Sequence, residues 1–504
     1  MLEAEVQGFQ GTVKDSANGY APTRISGFTW EVGNGSDQPN YSAICEGTET
    51  SAYVNNELRS ELSCLVVNAD QNLSYQLSYS TKWTLLSKVM RSFHKRLIAD
   101  DDRVDRLKEL FESIKSTFHE VPEFERFAEN MSTVAGEMLT NMTHGLELDF
   151  SAYDPSNYFR SLRVHPTEEG ATRAFEELGT GQQQILALAF AHAYSSSFLG
   201  ENLILILDEP EAHLHPLAQR WLSRIINKMA EDGLQIVITT HSPYFVNLNY
   251  FDGIYLVRKD EDGTHVINHS AQSLYDHCIE TNATRAALDT VVPFYANNAI
   301  PRILNGFFAK GLILVEGLTE ELALPEYFMQ VGLDVEKEGI DIIGVQGKGN
   351  LAKWWRLFTL FEIPTFVCFD NDTGDDRNGN KRKDALRSIG IPEDQLDGVL
   401  SGTTWSINES FCVFGQDFET TMRASFPDYE DIEKEKKEEL GSSSKHIVAR
   451  ETAKSIAYDD AVEGWIRMKE LADHFKTTTE EAGDEGDAVA PVTLDIGDED
   501  DLPF

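Results

Sequence analysis

Hydrophobic and polar positions along the chain fall into blocks with different periods. Residues 25–80 are rich in Thr, Ser, Tyr and Val and are punctuated by Gly33, Asn34, Gly35 and Gly47. That pattern predicts short antiparallel strands joined by turns. From Trp83 to about Leu146 the spacing becomes helical, with Leu85, Leu86, Val89, Phe93 and Leu97 on one apolar stripe, which predicts a helical insertion over 82–148. Residues 175–258 alternate helical segments with short, wholly apolar runs at 203–207 and 236–239, the signature of parallel strands buried on both faces. A second such block begins at Leu312, with strands expected at 312–315, 340–345 and 365–369 and helices between them. Residues 426–478 read as charged helix, and 479–504 lack both periodicity and any Lys or Arg, as in a disordered acidic tail. The expected architecture is α/β throughout: a first region over 1–260, a helical connector over 261–308, a second α/β domain over 309–425, then the extension and the tail.

Charge narrows the functional classes. The 504 residues hold 84 acids against 43 Lys and Arg, a net charge of −41, while the 41% hydrophobic share suffices for sizeable cores. A uniformly basic nucleic-acid coat is excluded, so contact with nucleic acid requires a local basic patch. Arg377, Lys381, Arg382, Lys383 and Arg387 supply the best candidate. The five cysteines, Cys45, Cys64, Cys278, Cys368 and Cys412, form no CxxC pair, which speaks against a disulfide framework or a zinc knuckle and for a reducing, cytoplasmic setting. Apolar runs fall far short of the roughly 20 residues that span a membrane, so no membrane partner is expected.

Two constellations carry chemistry. In the first, an apolar strand runs into Asp208-Glu209-Pro210; Gly179-Thr180-Gly181-Gln182 opens a helix upstream, and the next strand ends at His241. Paired carboxylates at a strand end suit Mg²⁺ binding by Asp208 and activation of water by Glu209. The glycines at a helix start suit close approach of a phosphate. In this order and spacing the segments resemble the head of ABC-type ATPases. The resemblance implies a signature loop at Gly179, Gly181 and Gln182, a Walker B strand ending in Asp208 and Glu209, and a switch histidine at His241. No GxxxxGK[ST] phosphate loop occurs in the sequence. The expectation is a chain that is N-terminally incomplete, depends on another polypeptide for that loop, or has lost hydrolysis; ATP with Mg²⁺ would bind the head only if a loop is supplied.

In the second, the strand at 312–315 ends in Glu316-Gly317, with Glu320 four residues on, and the strand at 365–369 ends in Asp370-Asn371-Asp372. Period two puts Asp370 and Asp372 on one side, and oxygen ligands from two strand ends suit one or two Mg²⁺ or Mn²⁺ ions. The pair resembles the TOPRIM fold of topoisomerases, primases and related nucleases, with Glu316, Asp370 and Asp372 at its acidic positions. An ABC head followed by TOPRIM resembles the OLD (overcoming lysogenization defect) family of ATP-linked nucleases. That resemblance adds Glu320 as a further acid, and Glu419 and Lys445 as downstream members of the nuclease centre.

The implied function is metal-dependent cleavage of DNA, by an endonuclease or nickase gated by the ATPase-like head, in phage defence or DNA repair. The alternative is a non-hydrolysing nucleic-acid sensor or scaffold that acts with a partner ATPase. Expected partners are DNA, through Arg377, Lys381, Arg382 and Lys383, a second copy through ABC-type heads, and a full-length or partner ATPase subunit. The acidic end Asp501-Leu502-Pro503-Phe504 resembles the tip of bacterial single-stranded DNA-binding proteins, which implies a repair or replication partner.

Overall fold

The computed structural model describes residues 84–138, 177–194, 203–260, 263–283, 286–372, 376–402 and 405–480, together with the strands at 2–15, 19–32, 39–45, 52–53, 63–68, 167–168 and 171–172. The acidic tail expected at 479–504 lies outside these from residue 481 on, as does the end of the helical insertion beyond Met138. The chain divides into two compact units between Thr240 and His241.

In the first unit, β1 (Leu2–Asp15), β2 (Gly19–Val32), β3 (Pro39–Cys45) and β4 (Ala52–Tyr53) form an antiparallel sheet. The strand β5 (Ser63–Asn68) departs from the antiparallel pattern expected of 25–80. It pairs in parallel with β8 (Leu203–Asp208), bringing Asn68 opposite Asp208. Between these lie the helices α1 (Leu85–Ile98), α2 (Asp101–His119) and α3 (Pro122–Met138) and the short pair β6 (Thr167–Glu168) and β7 (Ala171–Thr172). Thr84 caps α1, its side chain accepting from the Ser87 N–H at 3.3 Å. On the other side β8 pairs in parallel with β9 (Gln235–Thr239). The helix α4 (Thr180–Tyr194) precedes β8, and α5 (Pro216–Glu231) connects it to β9. A parallel step requires such a crossover. His215 and Pro216 start α5, the His215 imidazole accepting from the Ala218 N–H and the proline supplying its preset φ.

The second unit is built on a five-stranded sheet of order β13-β12-β14-β16-β15. Its strands are β12 (Gly311–Val315), β13 (Ile340–Gly344), β14 (Thr365–Asp370), β15 (Ser406–Ile407) and β16 (Phe411–Phe414). All pairings are parallel except that of β15 with β16. Alternation divides the strands between two cores: Leu312, Leu314, Val367 and Phe369 face one, and Ile313, Val315, Phe366 and Cys368 face the other. The apolar runs are continuous because both faces are covered.

What covers them was only partly visible in the pattern. The first core takes in Leu248, Phe251, Leu274, Tyr295, Ile303 and Phe307, so the segment after His241 belongs to this unit. The unit therefore begins some twenty residues before the boundary expected at 260. The segment is also not wholly helical. It includes the hairpin β10 (Tyr255–Asp260) and β11 (Gly263–Asn268), then α6 (Ala271–Glu280), α7 (Leu288–Asn298) and α8 (Pro301–Leu304). The second core is closed by α9 (Leu318–Gln330) and by the C-terminal extension, where Trp465, Met468 and Leu471 are buried with Phe426 and Tyr327. Side chains of that size contribute roughly 1.5–3 kcal/mol each on burial, so the extension is an integral part of the sheet's packing.

Candidate active site

The two acids at the end of β8 are tied to β9, Asp208 by its carboxylate and Glu209 by its backbone. The Thr239 hydroxyl donates to Asp208 Oδ1, and the Glu209 N–H donates to the Thr239 carbonyl at 3.1 Å. Glu209 has φ 45°, a left-handed backbone that a non-glycine residue adopts only when its surroundings enforce it. Gly181 lies against the loop after β8, where a Cβ would come within 2.5 Å of Leu214 Cδ2. The helix start that carries Gly179, Gly181 and Gln182 is thereby pinned beside the Asp208 strand, and the Gly179 N–H donates to Gln182 Oε1 at 3.3 Å. His241 is the first residue of the second unit and is exposed.

In the second unit the carboxyl ends of β12, β13, β14 and β16 bring five acids together. Glu316 follows β12 directly, and its Oε1 accepts from the Asp370 N–H at 2.8 Å at the end of β14. Glu320 is the third residue of α9, whose N-cap is Gly317; its carboxylate turns back to that helix start, as in a capping box, and the residue is 4% exposed. Glu419 lies in the first turn of α11 (Phe418–Ser425), capped by Asp417. Its charge acts on both Glu320 and Asp370. Asp372 completes the group through an ion pair with Lys348.

Burial and mutual repulsion set the electrostatics. Burial, opposed by backbone hydrogen bonds and reinforced by Glu316 and Glu419, pushes the Glu320 carboxyl up to about 7. Burial, with Glu320 and Glu316 adding and Lys348 opposing, pushes Asp370 up to about 9. Glu316 is raised by burial and partly restored by Lys348. Glu320 Oε2 and Asp370 Oδ1 are buried without any hydrogen-bond partner. Unpartnered buried oxygens of this kind are costly in a finished site. Among the described residues no three acidic, imidazole or thiol side chains cage an ion as they stand. The donor set still suits Mg²⁺ or Mn²⁺, being all hard oxygen with two buried oxygens unpartnered.

Lys348, which the sequence reading passed over, stands in the middle. It is the first residue of α10 (Lys348–Leu360), its side chain 3% exposed and its Nζ 2.8 Å from Asp372 Oδ1 and 3.4 Å from Glu316 Oε1. Gly347, with φ 115°, makes the turn from β13, and its N–H donates to the Glu316 carbonyl at 2.8 Å. The available signal was a Lys just after a glycine turn at a strand end next to β12.

A second set of residues holds the frame. Arg302 on α8 donates to Glu321 Oε1 at 2.6 Å, to both Asp341 oxygens at 2.7 and 2.8 Å, and to the Ile342 carbonyl. Glu321 in turn accepts from the Gly344 N–H at 3.0 Å. A Cβ at Gly344 would come within 2.6 Å of that carboxylate. The start of α9 is thereby clamped to the end of β13.

The expected basic patch does not survive as a unit. Arg382 is buried, its guanidinium paired with Asp376 at 3.2 Å and donating to the Asn371 side chain and carbonyl. These partners hold it in place, as a buried cation requires. Lys383 pairs with Asp397 at 2.7 Å and Arg387 with Glu393 at 2.7 Å. Arg377 and Lys381 are exposed, and the Lys381 side chain lies against Gly349, next to Lys348. Lys445, 81% exposed, is 3.8 Å from Glu419.

Fold and site together define a chain with an ATPase-type parallel sheet and a TOPRIM-type acidic centre. The family model described as "AAA ATPase domain" matches residues 12–246, and that described as "Overcoming lysogenization defect protein-like, TOPRIM domain" matches 307–372. The OLD nuclease of Thermus scotoductus is 28% identical over 63% of this chain and 58% of its own length. The Old nuclease of Escherichia phage P2 is 25% identical over 48% of this chain and 40% of its own. A solved C-terminal region of the Xanthomonas campestris pv. campestris OLD protein is 18% identical over 35% of this chain and 98% of that one, with a TM-score of 0.28. The chain combines an AAA ATPase domain with an OLD-like TOPRIM domain and is homologous to the OLD nucleases. It spans about half the length of the curated relatives it matches. Among the described residues no helix is long and apolar enough to cross a membrane.

Proposed function

We propose that the chain is a divalent-metal-dependent DNA nuclease of the OLD type, whose TOPRIM centre cuts phosphodiesters under the influence of the ATPase-like head. The observation that carries this reading is the pair of unpartnered buried oxygens, Glu320 Oε2 and Asp370 Oδ1, in a group of five acids. Glu320 and Asp370 would hold the ion, with Glu316, Asp372 and Glu419 around them. A bound Mg²⁺ or Mn²⁺ supplies Lewis-acid polarisation of a phosphate oxygen and a more acidic water. Glu316 orients Asp370 through the Asp370 N–H. Lys381, exposed beside the start of α10, offers a phosphate contact within reach of the centre, and Arg377 extends it. DNA as substrate, a reducing cytoplasmic setting, dimerisation through the heads and a role in phage defence or repair belong to this proposal.

The test is cleavage of linear and supercoiled DNA with Mg²⁺ or Mn²⁺, with and without ATP. Asp370→Ala and Glu316→Ala should each abolish cleavage without loss of fold. Undiminished cleavage by both variants would remove the site assignment.

A further inference from the structure

The clamp around Arg302 joins elements from opposite faces of the second unit's sheet, in which β13 is an outer strand. On one face α8 buries Ile303 and Leu304 in the first core, and on the other α9 buries Ala323, Leu324, Tyr327 and Phe328 in the second. Arg302 meets both at β13. Its guanidinium takes the two Asp341 oxygens and the Ile342 carbonyl on the strand and Glu321 Oε1 on the helix, which uses the whole of its planar fork.

We infer that Arg302 is a positioning residue of the acidic centre: it fixes the start of α9, and with it Glu320, against the end of β13, and so sets how tightly the centre holds divalent metal. This rests on the metal-dependent reading of the site. Glu321, the neighbour of Glu320, receives Arg302 on Oε1 at 2.6 Å and the Gly344 N–H on Oε2 at 3.0 Å, so both its oxygens tie the first turn of α9. Gly344 leaves no slack, because a Cβ there would come within 2.6 Å of Glu321 Oε2 and 3.0 Å of the Gly317 carbonyl. Gly317 is the N-cap of α9 and the residue after Glu316. Glu320 shares that turn, and its carboxylate bonds back to the backbone there, so its unpartnered Oε2 goes where the helix start goes. Without the guanidinium, Glu321 and Asp341 would be left as like charges whose side chains are only 14% and 28% exposed, and their repulsion would push the helix start off the strand end.

Arg302 lies outside the residues 307–372 that match the TOPRIM-domain model. It belongs to the segment that follows the first unit, and α8 packs against the turn Pro243–Phe245, two residues past His241. That segment thereby supplies the centre with a residue that pairs with none of its five acids and acts on Glu320 through Glu321 and Gly344. Charge and position then predict opposite signs. If charge alone counted, removing a cation beside an acidic centre would strengthen its attraction for another cation. Loss of position weakens metal binding, by roughly 10–100-fold for groups that orient ligands.

The experiment measures Mn²⁺ affinity by electron paramagnetic resonance of the free ion in titrations of the full chain, with Asp208→Asn and Glu209→Gln introduced to silence the head and folding checked by tryptophan fluorescence. Arg302→Met should weaken Mn²⁺ binding by roughly 10–100-fold. Arg302→Lys keeps the charge but cannot reach Asp341, Ile342 and Glu321 together, and its affinity should fall between the two. Unchanged or tighter binding in a folded Arg302→Met chain overturns the inference while leaving the nuclease reading standing. Should Arg302→Met fail to fold, Arg302→Lys decides: weaker binding than in the parent supports the inference, and equal or tighter binding overturns it. No Mn²⁺ bound by the parent, or binding undiminished in Asp370→Asn, would overturn the reading beneath the inference and the inference with it.

Discussion

Asp370→Asn should stabilise the metal-free protein while destroying the site. The carboxyl of Asp370 moves from an ordinary 3.8 to about 9 in the folded chain, through burial and then through the charges of Glu320 and Glu316. A raised folded-state value in an acid means that the fold holds the proton more tightly than the unfolded chain does. The stability tied to this group is therefore complete below about pH 4 and is lost as pH rises toward 9. The loss is about 1.4 kcal/mol for each pH unit in that window, which is on the order of 4 kcal/mol by pH 7. Asparagine has the same shape without the charge, so the variant escapes the penalty. The assay is urea denaturation in EDTA from pH 5 to 9, followed by tryptophan fluorescence, since Trp354, Trp355, Trp405 and Trp465 all lie in the second unit. Wild type should lose stability steadily with pH and Asp370→Asn much less. Adding Mn²⁺ should reverse the order by stabilising wild type alone, in proportion to site occupancy. A variant less stable than wild type in EDTA at pH 8, or one with the same pH slope, would refute the reasoning by showing that Asp370 ionises freely in the fold.

Two further outcomes follow from the geometry. Changing Arg377 and Lys381 together to Ala should weaken DNA binding about uniformly across sequences and flatten its salt dependence by roughly one to two phosphate contacts. Arg382→Ala should instead lower stability by roughly 1–3 kcal/mol, because the buried Asp376 loses its guanidinium partner and keeps only the Lys381 and Arg382 backbone N–H groups, and the two effects separate in binding and melting measurements. No appreciable ATP turnover is expected of this chain alone, since the sequence has no GxxxxGK[ST] loop to cradle the phosphates. Steady turnover abolished by Glu209→Gln would show that another segment supplies the cradle.

The sequence by itself determined the strands and the acids at their ends. A wholly apolar run stopped by a carboxylate is a local statement: desolvation drives the run inside and hydration holds the charge at its end. Glu316, Asp370, Asp208 and Glu209 were legible for that reason. Glu320 could be read from its spacing on the helix that follows Glu316. Partners distant in sequence could not be read in this way. Lys348 looked like one residue of a glycine turn until the parallel pairing of β13 with β12 set it beside Glu316. Arg382 looked like one charge of a basic patch until the fold set Asn371 and the buried Asp376 against its guanidinium. The roles of 241–308 and of the C-terminal helices were hidden likewise. Their apolar positions say that a face must be covered but not which face. The choice was made by the β12 sheet, which needs both of its faces buried and takes Phe251 and Ile303 on one and Trp465 and Leu471 on the other. Local patterns fix where charge and hydrophobicity lie along the chain, whereas the energy of a buried ion pair or a closed core depends on what the fold brings to it.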